Sequence, residues 1–242
     1  MKNSLRKRNM GKALKRFFAV CFSIMLFAVA YAENTQASVT DSPIVYLCGI
    51  KKYNDDSGFD DTIYFSELES LYRRGNSDAI VVQKDYFESF SNLEEMLTLG
   101  NFVWITTHGL NGYIATFDSD GNINGRIDYT DFFKYSDKKF SNVELCVVLA
   151  CESAAGAMNV SAAICAKGAK CTIGFRESIE AVRAREWQRY FVKAQMNGWT
   201  VAAAVRYADS QVYDESCKGQ GDLMAYGWLN THVVYGNSNV RY

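Results

Sequence analysis

Two reactive side chains close apolar runs in this sequence. His108 ends Phe102-Val-Trp-Ile-Thr-Thr-His108, and Cys151 ends Glu144-Leu-Cys-Val-Val-Leu-Ala-Cys151. A β-branched, apolar run of this kind reads as a buried parallel strand, and ligands of open α/β sheets gather beyond the carboxyl ends of such strands. The chain has only two histidines, so one at such a position, matched by a cysteine on a second strand, points to chemistry. A thiolate attacking a carbonyl needs an acid for the leaving group and hydrogen bonds to the developing oxyanion. Cys151 supplies the nucleophile and His108 the general acid/base; His232 falls inside the last strand segment. The backbone N–H groups of Gly109 and Cys151 are the candidate oxyanion hole, since glycine brings nothing but backbone close to a substrate. Cys151 reads as standing at a strand-to-helix turn, where a helix amino-terminus favours the thiolate.

The elements that must position this pair follow from periodicity and punctuation. Strands are expected at Ile44–Ile50, Ala79–Gln83, Phe102–Thr107, Val143–Ala150, Cys171–Phe175 and His232–Tyr235. Helices are expected at Tyr64–Arg74, Phe87–Leu99 before Gly100, Ser153–Lys167 before Gly168, Ile179–Asn197 and Thr200–Ser216. Between the third and fourth strands a surface hairpin (Gly112–Phe117, a turn at Asp118–Asn122, then Gly125–Ile127) precedes a short helix at Thr130–Tyr135. The alternation gives an α/β fold, a mostly parallel sheet of about six strands with helices on both faces, built from right-handed crossovers.

Residues 1–32 have the layout of a secretory signal: seven basic side chains and no acid in residues 1–16, an apolar core, then Ala30-Tyr31-Ala32. An uncleaved membrane anchor is the alternative. Residues 33–43 read as a flexible lead-in, and 44–242 as one domain, since a single proline and no Gly/Ser tract leave no linker. Removing the signal leaves 19 basic against 27 acidic residues, a net charge of −8. That balance implies an exported, soluble domain without an electrostatic case for nucleic acid or an anionic membrane. Six cysteines remain after cleavage. Cys48 and Cys146 sit inside apolar runs, only Cys165 and Cys171 make a conceivable bridge, and Cys151 must stay free to react.

The pair His108-Gly109 and Ala150-Cys151-Glu152-Ser153, 43 residues apart on consecutive strands, resembles the caspase-like (clan CD) cysteine peptidases. Their histidine lies about 50 residues upstream of the cysteine. Val-Leu-Ala-Cys-Glu-Ser is closest in pattern to the CHAT-domain, gingipain and clostripain branches. Ile173-Gly174-Phe175, the Phe191…Asn197-Gly198…Ala203 helix pair and Val233-Val234-Tyr235-Gly236-Asn237 extend the resemblance over residues 44–239. It implies a caspase-like three-layer sandwich and a Cys-His dyad cleaving peptide or protein substrates, with no redox or organic cofactor. Clostripain-like and metacaspase-like members place an aspartate two residues before the cysteine to receive a basic P1 side chain; Leu149 stands there in this chain. An uncharged P1 is therefore expected, with Arg176 and Glu177 as candidates for the pocket wall. Ala154 also replaces the glycine that often follows the serine. A silent binding domain of the same fold, or a cysteine hydrolase or acyltransferase acting on non-peptide substrates, remains the alternative.

The insertion after His108 carries a second pattern. Asp120, Asn122, Asn124, Gly125, Asp128 and Asp131 stand at calcium-loop spacing, with Asp131 in place of the usual bidentate glutamate. Oxygen ligands around a turn glycine suit a hard cation. The same residues also serve turns and helix caps.

Overall fold

The computed structural model describes residues 42–54, 60–216 and 231–242. The signal reading of residues 1–32 and nearly all of the 33–43 lead-in lie outside them. A central sheet contains β1 (Ile44–Gly49), β2 (Ile80–Lys84), β3 (Phe102–Thr106), β7 (Leu145–Leu149), β8 (Cys171–Phe175) and β9 (His232–Gly236). A small antiparallel sheet inserted after β3 holds β4 (Gly109–Leu110), β5 (Tyr113–Phe117) and β6 (Ile123–Ile127). The helices are α1 (Phe65–Gly75), α2 (Phe90–Leu99), α3 (Val160–Ala166), α4 (Ala181–Met196) and α5 (Val201–Ser216). The central order is β2-β1-β3-β7-β8-β9, parallel throughout except that β9 runs antiparallel to β8. This is the α/β, mostly parallel six-stranded arrangement expected from the sequence.

Alternation along each strand explains the three layers, because successive side chains leave opposite faces of a sheet. Val45, Leu47, Trp104, Val147 and Ile173 join one core with Phe65 and Leu68 of α1, Trp187 and Phe191 of α4, and Val201 and Val205 of α5. Tyr46, Cys48, Val103, Ile105 and Val148 join the other with Leu93 and Met96 of α2, Val160 and Ile164 of α3, and Ile114 and Phe117 of the inserted sheet. Strands buried on both sides need apolar residues at every position, so the runs through β3 and β7 are continuous rather than alternating.

The expected helix at 153–167 begins only at Val160. Gly156 adopts φ 70, a left-handed conformation that interrupts an α-helix, and Asn159 starts the helix by accepting the Ala162 N–H at 2.9 Å. The α2 helix likewise starts at Phe90, because Phe87 is used as a fully buried core residue ahead of it. In place of a helix at 130–135 there is a 3₁₀ turn, Tyr129–Phe132, held by a capping box between Asp128 and Asp131.

Cys48, Cys146, Cys151, Cys165 and Cys171 are all free thiols, so no bridge joins Cys165 to Cys171. Burial pushes Cys48 and Cys171 up to about 12, which leaves them as inert packing groups. Among the described residues no helix is long and apolar enough to cross a membrane.

Candidate active site

β3 and β7 are paired in register, with Thr106 opposite Leu149. Each chain runs on two residues beyond that pair, one to His108 and the other to Cys151. Side chains 43 positions apart in sequence are thereby delivered to one edge of the sheet. Both line a single cavity of about 270 Å³, together with Tyr53, Asp61, Thr106, Thr107, Leu149, Ile179, Ala181 and Ala184.

The nucleophile turn is held by a buried hydroxyl. Ser153, fully buried, donates to the Val148 carbonyl at 3.0 Å and accepts the Phe175 N–H at 3.1 Å. It thus ties the ends of β7 and β8 together behind Cys151, which is the physical role of the serine in Ala-Cys-x-Ser. The half-buried Cys151 sulfur accepts the Ile179 N–H at 3.3 Å and faces the Ile179 carbonyl at 3.6 Å. Its partner in this state is that loop rather than the imidazole; catalytic hydrogen bonds commonly tighten only around substrate. The His108 ring is exposed on one side and packed on the other against Tyr53, at 4.8 Å between ring centres, and Phe117, at 5.7 Å.

Gly109 stands where no side chain fits. A Cβ there would meet the Cys151 carbonyl oxygen at 2.2 Å and the Ala150 Cβ at 3.1 Å. The Ala115 N–H bonds the His108 carbonyl at 2.9 Å, so Gly109, opposite Ile114, occupies a non-bonded position of the β4–β5 ladder. Its N–H therefore points away from β5. The Cys151 N–H likewise has no backbone acceptor among the described residues. Two amides free to donate, on backbones in direct contact, are what an oxyanion requires.

Three expectations change. Cys151 does not stand at a helix amino-terminus, because α3 begins only at Val160, beyond a run of turns, so no helix dipole acts on its thiol there. Arg176 and Glu177 are exposed and off the cavity. Their backbones serve structure instead, Arg176 N–H on the Thr231 carbonyl at 2.7 Å and the Glu177 carbonyl on Glu152 N–H at 3.1 Å. The wall beside them is made by Ile179 and by Ala181 and Ala184 of α4, while Leu149 does line the cavity, as expected. The calcium pattern is not gathered around a point. Asn122 and Asp128 flank opposite ends of β6, a separation of roughly 20 Å at about 3.3 Å per strand residue. Their neighbours' oxygens are engaged locally: Asn124 Oδ1 by Thr116 Oγ1, Asp128 Oδ1 by Thr130 and Asp131 Oδ2 by the Asp128 N–H. Among the described residues no three His, Cys, Asp or Glu side chains cluster as a metal site.

The loop after β1 contributes what the sequence did not reveal. Asp61, 5% exposed, lines the cavity and accepts a hydrogen bond from the Tyr53 hydroxyl. Its backbone N–H bonds the Ile50 carbonyl at 2.9 Å, anchoring it where β1 ends. Burial pushes the Asp61 carboxyl above the usual carboxylate range, against the opposing pull of the Tyr53 hydrogen bond and the nearby Arg185 and His108. Beside it, the buried Thr106 Oγ1 has no hydrogen-bond partner although Thr106 lines the same cavity. A buried carboxylate with one hydroxyl donor keeps capacity to accept further hydrogen bonds from a charged group entering the cavity.

Comparison with known proteins gives matches at two levels. Residues 65–234 match the model of the CHAT domain family. None of the curated proteins matches the chain. Among solved structures, the Arg specific cysteine proteinase gingipain R aligns at 12% identity and a TM-score of 0.59, over 83% of this chain and 47% of that one. The complex of Porphyromonas gingivalis RgpB pro- and mature domains aligns at 13% identity and a TM-score of 0.56, over 83% and 48%. The Saccharomyces cerevisiae separase-securin complex gives 16% identity and a TM-score of 0.52, over 83% of this chain and 12% of that chain. The chain thus spans less than half the length of each of these structures, and at these identities the likeness is one of fold.

Proposed function

The chain belongs to the CHAT domain family, as the match over residues 65–234 shows, and from that premise we propose that it is a secreted cysteine endopeptidase. The observation that carries this reading is the convergence of Cys151 and His108 on one cavity, with the unbonded Gly109 and Cys151 amides on the backbones beside them. The Cys151 thiolate attacks the scissile carbonyl carbon while the Gly109 and Cys151 N–H groups hold the oxyanion. Collapse of the adduct breaks the C–N bond, the proton held by His108 goes to the departing amine, and a thioester remains. Water, losing a proton to His108, then hydrolyses the thioester and returns the thiolate. No step calls for a cofactor.

The cavity also favours a class of substrate. A basic P1 side chain would bring charged donors to the Asp61 carboxylate, and a guanidinium offers five. An apolar side chain would cover the Asp61 carboxylate without adding an opposite charge to answer it. This replaces the uncharged P1 expected from Leu149. The shared fold with a proteinase named as Arg specific supports the same direction.

The test is a panel of fluorogenic peptides differing only at P1, run beside labelling with an acyloxymethylketone probe. Labelling of Cys151 with turnover strongest for Arg or Lys is the expected result. Labelling without peptide turnover at any P1 points to a hydrolase or acyltransferase for other acyl groups, and absence of labelling to a silent binding domain. Export is tested separately: amino-terminal sequencing of secreted protein should begin at or close to Glu33.

A further inference from the structure

Two non-glycine residues have positive φ among the described residues, Asn111 at 50° and Glu152 at 54°. They are bonded to each other, with the Asn111 N–H donating to Glu152 Oε2 at 2.8 Å. Asparagine visits this left-handed region readily, but a glutamate does not, and Glu152 holds it where surrounding bonds enforce it. Glu152 immediately follows the nucleophile, and Asn111 stands three residues after His108 in the turn between β4 and β5. A second bond reinforces the pairing, from the Gly112 N–H to the Glu152 carbonyl at 2.9 Å. That carbonyl also takes the Ala155 N–H at 2.9 Å, and the Glu152 N–H donates to the Glu177 carbonyl at 3.1 Å. One residue therefore joins the histidine hairpin, the nucleophile turn and the loop after β8. It does so without lining the cavity.

The His108 and Cys151 side chains are not bonded to one another, so their relation depends on how these backbones are held. Gly109 rests against the Cys151 carbonyl, which brings the segments together but does not stop the hairpin from lifting away. The Glu152 clamp acts against that displacement. We propose that Glu152 is a positioning residue: its carboxylate and carbonyl hold the Asn111–Gly112 turn, and through it His108 and the Gly109 amide, in register with Cys151. The inference rests on the peptidase reading for its catalytic consequence, but the clamp itself can be measured without turnover.

Three variants of the full chain test it: Glu152→Ala removes the side-chain acceptor, Glu152→Gln keeps one, and Glu152→Gly removes the acceptor while relieving the backbone. Peptide cleavage and amide hydrogen exchange at Asn111 and Gly112 are read on each. A misplacement of about 1 Å is enough for a loss on the order of 100-fold. The expected result is faster exchange at both amides and kcat lowered about 10- to 100-fold in the Ala and Gly variants, with KM little changed and with most of both restored in Gln. Glu152→Gly also guards against a folding artefact, because it should melt no lower than Glu152→Ala yet be as slow. An active wild type with an unchanged kcat in Glu152→Ala overturns the proposal, as does unchanged exchange at Asn111. A wild type that cleaves no peptide rejects the peptidase reading instead, and exchange alone then decides the clamp.

Discussion

The strand-end cavity and the inserted hairpin both carry polar residues at suggestive spacing, yet the fold treats them in opposite ways. His108 and Cys151 are distant in sequence and converge, because β3 and β7 are parallel, adjacent and in register. Asp120, Asn122, Asn124, Asp128 and Asp131 are close in sequence and disperse, because an extended strand, β6, runs through the middle of them. The first region keeps acceptors and donors unmet: Thr106 Oγ1 has no partner and the Cys151 amide has no backbone acceptor. The second uses its oxygens in turns and a capping box. Unspent hydrogen-bonding capacity in a cavity, rather than the density of polar residues in a sequence, separates a reactive site from a well-made loop.

The comparison breaks most decisively at the cysteine. Cys151→Ala should abolish peptide turnover, and His108→Ala should lower it about 10²–10⁴-fold, the usual worth of general acid/base help. Retained activity in Cys151→Ala, measured with the best P1 peptide, would remove the nucleophile assignment. Next in size is Gly109→Ala. Its methyl would sit 2.2 Å from the Cys151 carbonyl oxygen, so the two segments must part, with an expected loss of about 100-fold in kcat.

Asp61→Asn comes third. Loss of a buried charged partner costs about 2 kcal/mol or more, so kcat/KM for an Arg peptide should fall at least ~30-fold while a Leu peptide is little affected. The pH profile gives the same comparison a sign. Because burial raises the Asp61 pKa, the carboxyl takes up its proton at a pH above the ordinary carboxylate value of about 3.9. The preference for Arg over Leu should therefore be present above that raised pKa and fade as pH drops through it. In Asp61→Asn this dependence should vanish; a preference that persists unchanged in the variant would place the specificity elsewhere.

The smallest effect is expected in the hairpin. Asp128→Ala loses the cap of the 3₁₀ turn, about 1 kcal/mol or some 2–4 °C in melting temperature, with turnover unaffected. A chelator should move neither quantity. A calcium-dependent rise in melting temperature that Asp128→Ala removes would mean the hairpin oxygens do gather on an ion.

The sequence by itself determined the strands and their two-sided burial, since continuous apolar runs such as Val103–Ile105 and Val147–Leu149 have no other stable home than the middle of a covered sheet. It also determined the two residues at the ends of those runs, because an apolar strand that stops on a histidine or a cysteine is a local signal. The tertiary structure decided what surrounds them. Nothing in the sequence marks Asp61 among the acids that follow β1; its burial at the exit of that strand, with a hydrogen bond from Tyr53, makes it a cavity wall. Arg176 and Glu177 read as pocket residues from their position after β8, yet the backbone bonds to Thr231 and Glu152 leave their side chains in solvent and give the wall to Ile179. The Ala-rich stretch after Cys151 has helical composition, but Ser153 and Ala154 are pulled onto β8 and Gly156 turns the chain, so the helix waits until Asn159 can cap it. Periodicity records which face a residue buries. Which loops meet above the sheet depends on hydrogen bonds between segments far apart in the chain, and these exist only once the sheet has brought the segments together.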